Sequence, residues 1–272
     1  MITNSDVREF WEQHPVAAKD VGEVKSGSTY FEHVDQLREA ENCEPYRFAN
    51  AIHGFESSAD KRVLDVGCGH GYVLSQYARH GAEVHGVDLT SRAIQLSKER
   101  FDLNGLQGDF HQMDGVHLPF PDKHFDIACS MGVLHHIAKP RATLAEMHRV
   151  LKPGGRLILM LYHKNSFRNQ VTFRWRKYFG PEIYNGKSLD EIRNMNDGAH
   201  CPLAIAYDRA DVESLLRGLF DDVQFRVNKL PYEEVFLFTR IGYKLARLLP
   251  SPSESFLARR WGWNLYIQAT RI

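Results

Sequence analysis

Neither sign of charge prevails in this chain. Its 272 residues carry 34 lysines and arginines against 34 aspartates and glutamates, a formal net charge of zero. That argues against a protein built chiefly to hold a nucleic-acid backbone, which needs a cationic footprint. Cysteine is scarce. The four present, Cys43, Cys68, Cys129 and Cys201, are scattered without metal-ligand spacing. They read as reduced structural thiols of a cytoplasmic protein, and no metal centre is expected. No apolar run approaches the roughly 20 residues that span a bilayer. The first six residues, Met1 to Asp6, are polar and lack the apolar core of a signal peptide. Internal repeats and low-complexity tracts are absent as well.

What is present is concentrated between residues 62 and 163. The run Arg62-Val63-Leu64-Asp65-Val66 ends in Gly67-Cys68-Gly69-His70-Gly71, and Tyr72-Val73-Leu74 opens a helical pattern. This reads as a buried strand, a tight turn and a helix N-terminus, where a ligand can lie against bare backbone. A dinucleotide turn has the pattern G-x-G-x-x-G, whose third glycine would fall at Tyr72. Here the pattern is G-x-G-x-G, and Asp65, two residues ahead of it, would repel a pyrophosphate. A carboxylate there suits a ligand with a cationic end, such as the ammonium of a methionine moiety. The stretch resembles the first motif of the class I S-adenosylmethionine-dependent methyltransferases.

Four further segments, in order, strengthen the resemblance. Glu83 to Asp88 reads as a second strand ending in an acid, 23 residues after Asp65, where a carboxylate accepts ribose hydroxyls. Gln112 to Phe120 is similar to the family's loop beside the adenine. His124 to His136 resembles its fourth strand and following turn, and Arg149 to Leu159 its helix, turn and fifth strand. The resemblance implies a doubly wound seven-stranded α/β sheet of Rossmann-like type, with S-adenosylmethionine bound at the carboxyl ends of the strands. It further implies cofactor contacts from Asp65, Gly67, Cys68, Gly69, Asp88, Leu89, Met113, Asp114, Gly115, Ser130 and Met131. Asp109 competes with Asp114 for the adenine edge. Phe110 and Met113 either sandwich the adenine or belong to the core.

Alternation of strand and helix over 62–163 independently implies a parallel sheet with ligands at its carboxyl edge. Residues 1–60 read as a helical cap and 61–272 as the cofactor-binding domain. Within the latter, 164–207 is an insertion after the fifth strand that builds an acceptor pocket, and 231–260 a helical insertion before the last strand. Ser5 or Asp6 would cap the first helix. Tyr30, on a cap helix, is either a lid over the methionine end of the cofactor or an exposed neighbour of a core Phe31. Trp11 and His14 are candidates of the same kind.

Methyl transfer needs alignment and the exclusion of water, and a hydroxyl acceptor also needs a base. His135, His136 and His163 end strands at the open edge and are the candidate bases. The cationic and aromatic stretch from His163 to Lys177 either binds an anionic acceptor or forms a solvated face over the core. Val235 to Leu249 reads as a core or homodimer helix rather than a membrane-surface one. Enzymes that methylate exocyclic amines of bases carry an acidic or amide residue followed by Pro-Pro-aromatic after the fourth strand. Here Cys129-Ser130-Met131-Gly132 stands instead, and the Pro-Cys dipeptide of cytosine-C5 enzymes does not occur. The expected partner is therefore a small-molecule acceptor, with S-adenosylhomocysteine as the second product. A SAM-binding protein without catalysis, or one acting on a macromolecule, are the alternatives.

Overall fold

The computed structural model describes residues 2–15, 26–40, 43–229 and 255–272. Helices α1 (Asn4–Gln13), α2 (Ser28–Glu39) and α3 (Tyr46–His53) precede the sheet. Strands β1 (Arg62–Val66), β2 (Glu83–Asp88), β3 (Asp109–Gln112), β4 (Phe125–Met131) and β5 (Leu151–His163) follow, joined by α4 (Tyr72–Arg79), α5 (Ser91–Leu103) and α6 (Pro140–Val150). Beyond β5 come α7 (Phe173–Phe179), α8 (Leu189–Asn194), β6 (Ala206–Tyr207), α9 (Arg209–Leu216), β7 (Phe220–Asn228), α10 (Phe256–Trp261) and β8 (Asn264–Arg271).

The sheet order is β3-β2-β1-β4-β5-β8-β7, with β8 antiparallel to both β5 and β7 and all other pairs parallel. The chain runs outward from β1 in one direction and from β4 in the other. The crevice between their carboxyl ends is the switch point at which such sheets bind ligands. Period-two alternation builds the two faces. Leu64, Val66, Ala128, Leu157, Leu159, Leu265 and Ile267 join α6 and α9 in one core cluster. Val63, Ile127, Cys129, Ile158 and Tyr266 join α3, α4 and α5 in the other. The same parity puts Asp65 on the face of Val63, inside a hydrophobic layer.

Two differences from the sequence reading concern the sheet. Strand β6 is an eighth, two-residue strand, pairing Tyr162 with Ala206 and His163 with Tyr207. It takes the side of β5 that β4 has vacated, because β4 pairing stops at Met131↔Met160 while β8 still occupies the other side at Tyr162↔Asn264. The expected turn Pro153-Gly154-Gly155 lies within β5 as a bulge, where pairing jumps from Phe125↔Leu151 to Ile127↔Arg156.

Local signals explain the helix starts. Thr3, not Ser5 or Asp6, caps α1, forming a reciprocal capping box with Asp6. Thr90 caps α5, and Asp208 with Asp211 forms a capping box on α9. The insertion after β5 is more regular than its sequence suggests, holding α7 and α8. These are too short for a hydrophobic period to stand out. The proposed helix at 235–249 lies outside the described residues, as does most of the 231–260 insertion.

Candidate active site

The cleft at the switch point is floored by the glycine turn. Gly67, Gly69 and Gly71 all have positive φ, at 83°, 56° and 75°. The Gly67 and Cys68 amides donate to the Val87 carbonyl at 2.7 and 3.1 Å, which holds the turn against β2. A Cβ on Gly67 would stand 2.2 Å from Val133 Cγ2, so no side chain fits between the turn and the segment after β4. Across the cleft, a Cβ on Gly115 would meet Val66 Cγ1 at 2.8 Å. Two glycines thus let the β3–β4 loop and the turn close on one space, which Val66, Gly67, Gly69, Leu89, Met113, Asp114, Gly115, Met131 and Gly132 line.

Asp88 ties two sides of this space together. Its Oδ2 accepts from the Gly69 amide at 3.1 Å, and its Oδ1 accepts from the Thr90 amide and hydroxyl at 2.9 and 2.8 Å. A carboxylate has about four acceptor positions, so about one remains for a ligand hydroxyl. Burial pushes the Asp88 carboxyl above its ordinary range, while the bonds from Thr90 and Gly69 pull it back. Asp65 lies one layer below. It is 2% exposed, its Oδ1 has no partner, and it does not itself line the cleft. Burial raises its pKa to about 7, opposed by Cys129 and Arg38 and reinforced by Asp88.

Several other residues read from the sequence sit away from the cleft wall. The Cys68 thiol points into the core beside Ser97, so only its backbone belongs to the turn. Ser130 Oγ donates to the Val66 carbonyl at 2.7 Å and joins β4 to β1. Tyr30 is 1% exposed, clustered with Phe31, Val34 and Leu96 behind α5. Phe110 is core, packed edge-on to Phe101, and Asp109 is exposed near His85. The cations of the 163–177 stretch are absent from the cleft lining. Lys164 pairs with Asp208 and Asp211, Arg174 with Gln170, and Arg168 lies over Trp263.

The cap reaches the cleft through α1 rather than α2. Asn4, Val7, Trp11 and Pro15 line it, whereas His14 stacks on Phe10. Glu12 fastens the helix there, accepting from the Ser91 and Arg92 amides at 2.9 and 3.0 Å and from the Ser91 hydroxyl. It thereby satisfies the first orphan donors of α5. Thr143 also lines the cleft, with an unpartnered buried hydroxyl. Glu12 escapes sequence reading because it acts through a contact distant in the chain, and Thr143 because only the packing of α6 brings it to the cleft.

The three histidines separate. His136 lines the cleft, stands edge-on to Trp11 at 4.9 Å, and places Nδ1 2.5 Å from the Leu203 carbonyl. A carbonyl only accepts, so Nδ1 carries the proton and Nε2 a lone pair. Burial lowers its pKa, opposed by Asp197 and the Leu203 carbonyl. His135 is fully buried, stacked 3.7 Å from the Tyr162 ring, with neither nitrogen partnered. His163 Nδ1 bonds the Gly262 carbonyl at 3.0 Å. Neither His135 nor His163 lines the cleft.

A seven-strand core order with one antiparallel strand near the edge, a glycine turn at the switch point and an acid ending β2 define the class I S-adenosylmethionine-dependent methyltransferase fold. Residues 64–159 match the family described as "Methyltransferase domain", which places that domain in the sheet from β1 into β5. Over 140 residues it is 36% identical to a ubiquinone biosynthesis O-methyltransferase of Cereibacter sphaeroides, covering 46% of this chain and 57% of that one. Over 124 residues it is 42% identical to a fatty-acid O-methyltransferase of Mycolicibacterium smegmatis, covering 44% of each. The chain thus spans about half the length of the curated relatives it matches. In fold it is similar to the magnesium protoporphyrin IX methyltransferase of Synechocystis with bound S-adenosylhomocysteine. That match has a TM-score of 0.61 and 14% identity, over 99% of this chain and all of that one. No helix among the described residues is long and apolar enough to cross a membrane.

Proposed function

We propose that this protein methylates an oxygen of a small, largely apolar acceptor, using S-adenosylmethionine as donor. The observation that carries the reading is the meeting, in one cleft, of a side-chain-free glycine turn, a cleft-facing Asp88 and a neutral His136. The donor supplies a methyl group on a sulfonium, already activated toward a nucleophile. The chain then has to bind, align and keep water out. Gly67 and Gly69 leave room for the methionine end, and the unpartnered Oδ1 of Asp65 beneath the turn supplies negative charge for an ammonium. Asp88 takes a ribose hydroxyl on its remaining acceptor position. Met113, Leu89 and Val116 enclose the adenine, with Asp114 at its polar edge. Trp11 and Val7 of α1 cover the space.

His136 is the base in this reading. Below its ordinary pKa it stays neutral near pH 7, and its Nε2 lone pair can take the proton of an acceptor hydroxyl. Among the described residues no lysine or arginine lines the cleft, which favours an uncharged hydroxyl acceptor over an anion. The names of the two relatives, a ubiquinone biosynthesis O-methyltransferase and a fatty-acid O-methyltransferase, support an oxygen acceptor on an apolar molecule. The cysteines are all free thiols, which supports a reducing, cytoplasmic setting. The test is methyl incorporation from labelled S-adenosylmethionine into a panel of phenols, alcohols and fatty acids. Base-stable ether product from a phenol or alcohol supports the reading. Binding of the donor without turnover on any acceptor class would favour a non-catalytic binding protein.

A further inference from the structure

The segment after α8 carries an acid that the reaction scheme above does not use. Asp197 Oδ1 accepts from the Tyr162 hydroxyl at 2.5 Å. The Tyr162 ring stacks on His135 at 3.7 Å and lies tilted against Trp263 at 4.3 Å. The other oxygen, Oδ2, is buried and has no partner. Ligand atoms of His136, Asp197 and Cys201 all lie within 4.8 Å of one another. The same segment supplies the Leu203 carbonyl that fixes His136 Nδ1. It is pinned in turn by Ala204 N to Asn194 Oδ1 at 2.8 Å and Ile205 N to the His135 carbonyl at 2.8 Å.

We propose that Asp197 is the positioning residue of His136: its free Oδ2 receives the imidazolium formed when Nε2 takes the acceptor proton. The inference rests on the methyl-transfer reading for its role in turnover, but not for the existence of the pair. The groups facing the imidazole are His135 on its own turn, Tyr162 from β5, Trp11 from α1, and Asp197 and Cys201 from the insertion. Of these only the Asp197 carboxylate can offset a positive ring. Leu203 selects the tautomer that leaves Nε2 free, and Asp197 stabilises the product of proton uptake. In the step itself the acceptor O–H bond breaks, its proton goes to Nε2, and the oxygen lone pair forms the bond to the methyl carbon. The old carbon–sulfur pair stays on sulfur as a thioether. The proton on Nε2 then leaves to solvent. On this account the insertion, not the shared sheet, sets the basicity of the site.

The test is an NMR titration of His136 in the full chain, wild type and Asp197→Asn, with no donor or acceptor present. The midpoint should fall by about one pH unit in the variant, a tenfold loss of proton affinity. Cys201→Ser, which carries no charge, should leave it in place. In the wild type, the Asp197 carboxyl carbon should show an inflection at the His136 midpoint, a reading that survives if the variant misfolds. With an acceptor in hand, Asp197→Asn should lower kcat, move the acid limb of the pH profile downward, and spare donor affinity. An unchanged midpoint without the carboxyl inflection would overturn the proposal even if the protein turns over. A shifted midpoint in a protein that methylates nothing would keep the pair and overturn the methyl-transfer reading.

Discussion

Glu12 of the cap and Ser91 at the start of α5 are joined through both backbone and side chain, across 79 residues of sequence. The carboxylate sits where the first amides of α5 point, and the favourable end of the helix dipole adds to the bonds. Because α5 begins three residues after Asp88, the same contact fixes α1 to the rim of the cleft. Glu12→Ala should cost about 1–2 kcal/mol of stability, the range of a lost cap. It should also speed amide exchange in α1 and weaken S-adenosylmethionine binding, while leaving exchange in β4 and β5 near wild type. Exchange rates in α1 that do not change would show that the helix is held by Trp11 and Val7 alone.

Gly67 should tolerate no side chain. Alanine there would combine φ of 83° with a Cβ 2.2 Å from Val133 Cγ2. The backbone conformation costs roughly 1 kcal/mol, and the clash adds more. Gly67→Ala should therefore destabilise the protein and abolish donor binding. Adding Val133→Ala should restore part of the stability, because it removes the clash but not the φ. Chemical denaturation of the single and double variants measures both terms.

Asp65 predicts a pH dependence of unusual sign. Its pKa is about 7 in the fold against an ordinary 3.8. The folded state therefore holds the proton where the unfolded chain has released it. The contribution to stability is fully present below the ordinary carboxyl range and is lost as pH rises through 7. Asp65→Asn should accordingly be more stable than wild type at pH 8, by up to roughly 4 kcal/mol, with the advantage gone near pH 4. Its affinity for the donor should fall, since the ammonium loses its counter-charge. Donor binding by the wild type should strengthen as pH rises through 7. A variant equal in stability at both pH values would mean that the carboxyl is not desolvated.

Asp88→Ala removes three bonds that organise the cleft and, in the proposed site, the acceptor for a ribose hydroxyl. It should weaken S-adenosylmethionine binding by about 2 kcal/mol, the scale of charge-assisted hydrogen bonds. An unchanged dissociation constant would remove Asp88 from the cofactor site.

The histidines should divide by function as they do by place. His136→Ala should lower kcat with donor affinity intact. His135→Ala should instead act on stability, because it leaves a cavity against the Tyr162 ring. His163→Ala should spare turnover. Equal activity of all three variants would detach the base role from this turn.

Much of the architecture was legible because it rests on local rules. The apolar runs at 62–66 and 125–131 and the glycine spacing announce strands and turn directly. The glycine turn, Asp88, Leu89 and the Met113-Asp114-Gly115 loop could be placed at one edge because strand ends are readable from such signals. What could not be read depends on contacts between distant segments. Nothing in Glu12 itself marks it as the cap of α5, nor in Asp197 as a neighbour of His136. The choice of Trp11 over Tyr30 as the aromatic over the cleft depends on how α1 and α2 pack, and both helices carry suitable aromatics. His135 and His136 are adjacent in sequence, and only the tight helical turn at 134–136 sends one ring to the core and the other to the cleft.

The most direct measurement is calorimetric titration of the purified protein with S-adenosylmethionine, S-adenosylhomocysteine and NAD. Micromolar binding of the first two with no heat from NAD is the predicted result. Binding of NAD without S-adenosylmethionine would contradict the account at its root, because it would mean that the glycine turn and Asp88 receive a dinucleotide.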